Sequence, residues 1–248
     1  MARRWLGSER IELDQIDSTS EELWRRAKAG AAHGTVLTAA YQTAGRGRQG
    51  RSWIAAPGNL MASWLLRLER APAQAGALSI VQGLALARAL DVLAPGRVKL
   101  KWPNDLQLDG RKVAGLLVEA RSIGSFCAVS GLGLNVIRPA EGWAELEGRA
   151  ISLQEAGVEV TVDELLEGLL AELESGIESF LREGPGLAFA QWSRWSCLDG
   201  RSIEWEDEGR MSSGTVEGLA ADGGLKVSDA SGRQRVLYAG EVHLQEGA

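Results

Sequence analysis

The stretch GRGRQG (45–50) has the G-x-G-x-x-G spacing of a dinucleotide-binding turn, but the residues after Gly50 forbid that fold. A dinucleotide turn feeds directly into a helix whose N-terminus holds the pyrophosphate. Here Gly50 leads into RSWIAAPGNL, with a Pro57-Gly58 break, and then into the strand-like LMASWLLRL. Glu69 has the spacing of the ribose-binding acid, but without the helix it has nothing to complete. The same letters fail as a phosphate-binding P-loop, because Arg51-Ser52 stands where a lysine and a hydroxyl residue belong. What remains is a glycine-arginine loop between two strands. Arg46, Arg48 and Arg51 fall within six residues, with no acid nearer downstream than Glu69, so the loop is expected to meet an anion. Its glycines give mobility and close backbone approach, and guanidinium forks match phosphate and carboxylate geometry.

Strand and helix signals alternate around this loop. IELDQID (11–17) reads as a strand, and Ser18 and Thr19 with Glu21 and Glu22 form two overlapping capping boxes that start a helix ending near Gly30. TVLTAAY (35–41) and LMASWLLRL (60–68) are strands; residues 77–93 have helical spacing and stop at Pro95-Gly96. RVKLKW (97–102) leads into Pro103-Asn104-Asp105, and Asp109-Gly110 joins LQL to RKVAGLLVEA as a tight hairpin. SFCAVSGLGLNV (125–136) is a further strand and 138–149 a loop. A long helix begins at the Thr161-x-x-Glu164 box and stops at Gly184-Pro185, and one short helix runs from about Leu187 to Trp195. From Asp199 the texture changes to short alternating runs broken by Glu208-Gly209, Asp222-Gly223-Gly224 and Ser231-Gly232, the pattern of a small β-barrel.

Composition narrows the function. A net charge of −6 argues against a general nucleic-acid surface. The arginines near the N-terminus precede no apolar run, and no stretch approaches a membrane span, so a cytoplasmic protein without a membrane partner is expected. Cys127 and Cys197 are far apart, as are the only histidines, His33 and His243, which disfavours zinc and disulfides. The chain has five lysines among 27 basic residues, and three of them, Lys99, Lys101 and Lys112, lie within fourteen positions. A chain that otherwise uses arginine has kept the compact ammonium there.

Four segments in order, Asp17-Ser18-Thr19, Tyr41-Gln42-Thr43-Ala44 with GRGRQG, KWPNDL (101–106) with RKVAGLLVE (111–119), and GLGLNV (131–136), resemble the biotin protein ligases, specifically the monofunctional type. YAGEVHL (238–244) resembles the end of that family's small barrel. The resemblance implies an α+β fold. Residues 1–198 would be a biotin- and ATP-binding domain of mixed sheet with flanking helices, the class II synthetase-like biotin–lipoate ligase fold. Residues 199–248 would be an SH3-like barrel. It implies that biotin and MgATP give biotinyl-5′-adenylate, and that a lysine of a biotin carboxyl carrier domain then takes the biotinyl group. ATP and Mg2+ are the expected cofactors, with no zinc, haem or NAD.

The resemblance also carries residue roles. Lys112 matches the lysine that binds the biotin carboxylate and α-phosphate; Arg46, Gly47 and Arg48, with Gly45, match the loop that folds over biotin and adenylate. Ser18, Thr19, Ser20 and Gln42 match the ureido-ring contacts, Gly115 a close backbone approach, Trp53 an aromatic at the adenine and Asn135 a nucleotide contact. Asp105 is the candidate for Mg2+ or for the incoming amine. Ser18 and Thr19 have an alternative reading as helix caps, and Trp53 as a core aromatic. Gln49 stands where an arginine is common and Ser20 where asparagine often follows Ser-Thr. Some members carry an N-terminal helix-turn-helix; the first catalytic strand here begins near Ile11, so no DNA partner is expected. The rival readings are a lipoate or octanoate carrier-protein ligase and a non-catalytic biotin-binding regulator. A monomer and a homodimer fit equally.

Overall fold

The computed structural model describes residues 4–54, 56–139, 143, 146–207, 209–238 and 240–245. Parts of the 138–149 loop, Glu208 of the expected Glu208-Gly209 turn and Ala239 of YAGEVHL lie outside the described residues.

Strand β1 (Arg10–Ile16) crosses through helix α1 (Thr19–Lys28) to a parallel partner, β2 (Val36–Gln42). Every other pairing in the large sheet is antiparallel. The remaining strands are β3 (Leu60–Leu68), β4 (Val98–Lys101), β5 (Asp105–Leu108), β6 (Arg111–Ile123) and β7 (Ser125–Leu134), in the order β1-β2-β3-β7-β6-β5-β4. The expected hairpin forms, with Asp109 and Gly110 both at positive φ, 51° and 76°.

The sheet is covered on both faces, which explains why β3 is buried without alternation from Leu60 to Leu66. Leu60, Ala62, Trp64 and Leu66 belong to the main core with α2 (Leu78–Leu93) and α3 (Val162–Glu183). Leu65 points the other way, into a smaller cluster with Leu23, Trp24 and Ala27 of α1. By length and composition, residues 75–93 could cross a membrane. In the fold, ten of the sixteen residues of α2 are buried. Helix α3 starts with the Thr161–Glu164 capping box, formed in both directions. The single short helix expected near 187–195 is two, α4 (Gly186–Phe189) and α5 (Trp192–Trp195). The break lets Trp192 and Trp195 bury and brings Ser196 beside Leu100 of β4.

From Ser202 the chain forms a five-stranded antiparallel sheet: β8 (Ser202–Asp207), β9 (Arg210–Leu219), β10 (Leu225–Ser228), β11 (Gln234–Leu237) and β12 (Val242–Leu244), ordered β11-β10-β9-β8-β12. Its Ile203, Trp205, Val216, Leu225, Val227 and Val242 belong to the same buried cluster as α2 and α3. Trp102 Nε1 also donates to Gly223 O at 3.1 Å.

Candidate active site

The turn from β1 into α1 departs from its expected capping. Ser18 is the N-cap, and its side chain makes no capping hydrogen bond. Glu22 is taken by Arg25 and Arg26, and Glu21 by Arg46, so neither capping box forms. The hydroxyls turn inward instead. Gln42 Oε1 accepts from Thr19 N at 2.7 Å and from Thr19 Oγ1 at 3.0 Å. Ser63 Oγ donates to Thr19 Oγ1 at 2.8 Å and lies 3.1 Å from Ser20 Oγ. All four side chains are buried, so the network holds its polar atoms in fixed positions. Asp17 locks the turn by a two-point contact with Arg25, at 2.7 and 2.9 Å. That guanidinium lowers the Asp17 pKa from 3.8 to about 2.

Beside this network, three glycines make one smooth surface. Gly115 pairs with Gly133 across β6 and β7, and Gly131 lies two positions away on the same face. A Cβ on Gly133 would lie 2.1 Å from the Trp53 indole, and one on Gly131 would lie 2.3 Å from Ser20 Oγ. The Trp53 ring thus rests directly on the backbone of β7.

Strict alternation would send Lys112 to the opposite face from Gly115. A bulge prevents this: Leu106 pairs with Ala114 and Gln107 with Lys112, leaving Val113 as the extra residue. A Cβ on Gly115 would therefore meet Lys112 Nζ at 3.3 Å. The bulged segment is pinned, since Lys112 N donates to Arg149 O and Lys112 O accepts from Ile151 N, both at 2.9 Å. Lys112 Nζ is 2.7 Å from Asp105 Oδ1 and 5.7 Å from the centre of the Trp53 ring.

The glycine-arginine loop closes through an Arg46–Ser52 bridge and a Gly47 N to Arg51 O bond of 2.7 Å. The expectation that all its charge awaits an anion is corrected. Arg46 pairs with Glu21 and, at 2.9 Å, with Glu119, while Arg51 pairs with Glu241. These acids come from distant parts of the chain, which local charge counting does not see. Arg48 makes no ion pair among the described residues and reaches only Asn104 Oδ1, at 3.3 Å. Burial lowers its pKa, opposed in part by Asp105.

A cleft of about 960 Å3, counting space open to solvent, joins these parts. Of the sequence-predicted residues, Ser18, Thr19, Ser20, Gln42, Arg46, Gly47, Arg48, Trp53, Asp105, Lys112 and Gly115 line it. Gly45 does not: it sits behind Trp53, where a Cβ would be 2.7 Å from Trp53 O. Asn135 does not either. It is buried, and its Nδ2 donates to Ile151 O at 3.3 Å, holding the 151–153 segment beside β6.

Sequence reasoning missed Asn104, Gly131, Gly133, Lys101 and Glu241 on the wall, and Ser63 behind it. The alternating glycines of GLGLNV and the lone hydroxyl in β3 were signals for three of them. Glu241 had none, because its position depends on how the two sheets meet.

The Biotin/lipoate A/B protein ligase family model matches residues 12–135. The Bifunctional ligase/repressor BirA of Escherichia coli is 34% identical over 94% of this chain and 73% of its own. The Biotin--[acetyl-CoA-carboxylase] ligase of Mycobacterium tuberculosis is 37% identical, over 93% and 87%. The biotin protein ligase of Aquifex aeolicus in complex with biotin and ATP superposes with a TM-score of 0.81 at 28% identity, covering 97% of this chain and 100% of that one. On sequence and fold together, this chain belongs to the biotin/lipoate A/B protein ligase family.

Proposed function

We propose that this chain is a biotin protein ligase. In the first step a biotin carboxylate oxygen attacks the α-phosphorus of ATP, the bond to pyrophosphate breaks, and biotinyl-5′-adenylate forms. In the second a carrier lysine amine attacks the acyl carbon, loses a proton, and AMP leaves. The first step brings two anions together, and the second builds negative charge on the acyl oxygen and the departing AMP, so fixed cations in a partly dry site supply much of the catalysis.

The observation that carries this reading is the bulge-directed Lys112 ammonium, set in one cleft with Asp105 and an Arg48 that has no ion-pair partner among the described residues. Lys112 would bridge the biotin carboxylate and α-phosphate. Asp105 holds the ammonium in place and, as a carboxylate on the cleft wall, would accept a proton from the incoming amine. The buried Gln42–Thr19–Ser63–Ser20 network suits the small polar ring of biotin, and Trp53, seated on the glycine surface, offers a flat aromatic face on the wall for the adenine. Among the described residues no group of three His, Cys, Asp or Glu could cage a metal. One wall carboxylate, Asp105, fits Mg2+ held mainly by nucleotide phosphates. Mg2+ bound there would neutralise phosphate charge.

The acceptor is the carrier domain of a biotin-dependent carboxylase. Residues 1–198 supply most of the substrate site, and 199–248 form a smaller unit that packs into the same core and adds Gly240, Glu241 and Val242 to the wall. The need for ATP argues for work in the cytoplasm. The test is pyrophosphate release by purified protein with MgATP and either biotin or lipoate. Release with biotin alone is expected; release with lipoate alone would move the chain to the lipoate branch.

A further inference from the structure

The three loop arginines are treated differently by the fold, and Arg46 is the most tightly held. Its guanidinium meets both oxygens of Glu119, at 2.9 and 3.3 Å, and also Glu21. Glu119 belongs to β6, two residues beyond Leu117 of the cleft wall. It accepts from Trp24 Nε1 at 3.4 Å and lies 3.9 Å from Arg121, whose guanidinium sits over the Trp24 ring at 4.3 Å. Glu21 stands on the first turn of α1, next to the cleft hydroxyls. Arg46 therefore ties the base of the loop to the two elements that make the floor.

We propose that Glu21 and Glu119 are positioning residues that fix Arg46 as the anchored end of the loop, leaving residues 47–51 to carry Arg48 over the cleft. This rests on the ligase reading and changes the expected role of Arg46 from ligand contact to anchor. Two Cα–Cα steps limit Arg48 to about 7 Å from the Arg46 Cα, so pinning one residue confines where the other lands. Gly45 and Gly47 flank the pin and would otherwise let the whole loop drift. Two carboxylates on one planar fork suit an anchor, because the fork meets both in one orientation.

The test uses the full chain in two states. The loop's arginines are trypsin sites, so ligand-free Glu119→Gln and Glu21→Gln should each be cut within 46–51 faster than wild type. With biotin and MgATP, each should raise both the KM for biotin and the adenylate release rate about three- to tenfold, with a smaller change in kcat. Glu21, on the helix surface, keeps the test open should Glu119→Gln fail to fold. Wild-type cleavage and release rates in both single variants would overturn the proposal. Faster cleavage in a protein that makes no adenylate at all would remove the ligase reading and leave the anchor standing.

Discussion

Lys112 shows how one unpaired residue decides chemistry. Without the bulge at Val113 the strand would aim this ammonium away from Gly115. Lys112→Ala should cut adenylate formation by two or more powers of ten, on the order of what one transition-state cation supplies. Lys112→Arg should restore only part, since a planar fork cannot sit between two anions as a point charge does. Single-turnover measurement of adenylate checks both; wild-type rates in Lys112→Ala would remove the lysine from the reaction. Gly131 is the second sensitive residue. Its missing Cβ is replaced by the Ser20 hydroxyl, so Gly131→Ala should break the buried network, destabilise the protein by about 1–3 kcal/mol and raise the KM for biotin. Urea unfolding alongside biotin titration tests this, and an unchanged KM would detach the network from biotin.

Elements were legible where a local signal fixed them and illegible where a distant partner overrode it. The Thr161–Glu164 box and the Asp109-Gly110 hairpin formed as written, because each is completed within a few residues. The Ser18/Thr19 boxes did not, since Gln42, Ser63 and Arg46 compete for the same groups from across the fold. Most cleft residues were found by motif, whereas Glu241 needed the meeting of two sheets. The α1 turn rests on the Asp17–Arg25 contact. Asp17 titrates lower when folded, so its contribution is present above about pH 3.8 and is lost as pH falls toward 2. Both side chains are about half exposed, so Asp17→Asn should cost no more than about 1 kcal/mol at pH 7. The gap in urea midpoints between variant and wild type should narrow between pH 4 and pH 2; a gap independent of pH would show that charge is not the cause. In the loop, Arg48→Gly removes the arginine that has no ion pair among the described residues and should let adenylate escape. With biotin, ATP and serum albumin, the variant should biotinylate the albumin and the wild type should not. Clean albumin would show that another group retains the anhydride.

At the scale of the whole molecule, the small sheet is part of the main core and not an appendage to it. Ile203, Trp205 and Val242 are packed in the cluster that holds α2 and α3, so a chain ending at residue 198 would expose that surface. The full chain should unfold in urea as a single transition, coincident by near- and far-ultraviolet dichroism, and the 1–198 fragment should lack sharp tertiary signals. Two separated transitions would instead mark independent units. The wall of the cleft is gathered from Ser18 through Val242, which makes it a high-contact-order object, assembled only when the most distant parts of the sequence have met. A half-folded chain has no such enclosure, and therefore no place in which to make a diffusible acylating agent. The topology thus confines a hazardous intermediate to molecules that have finished folding.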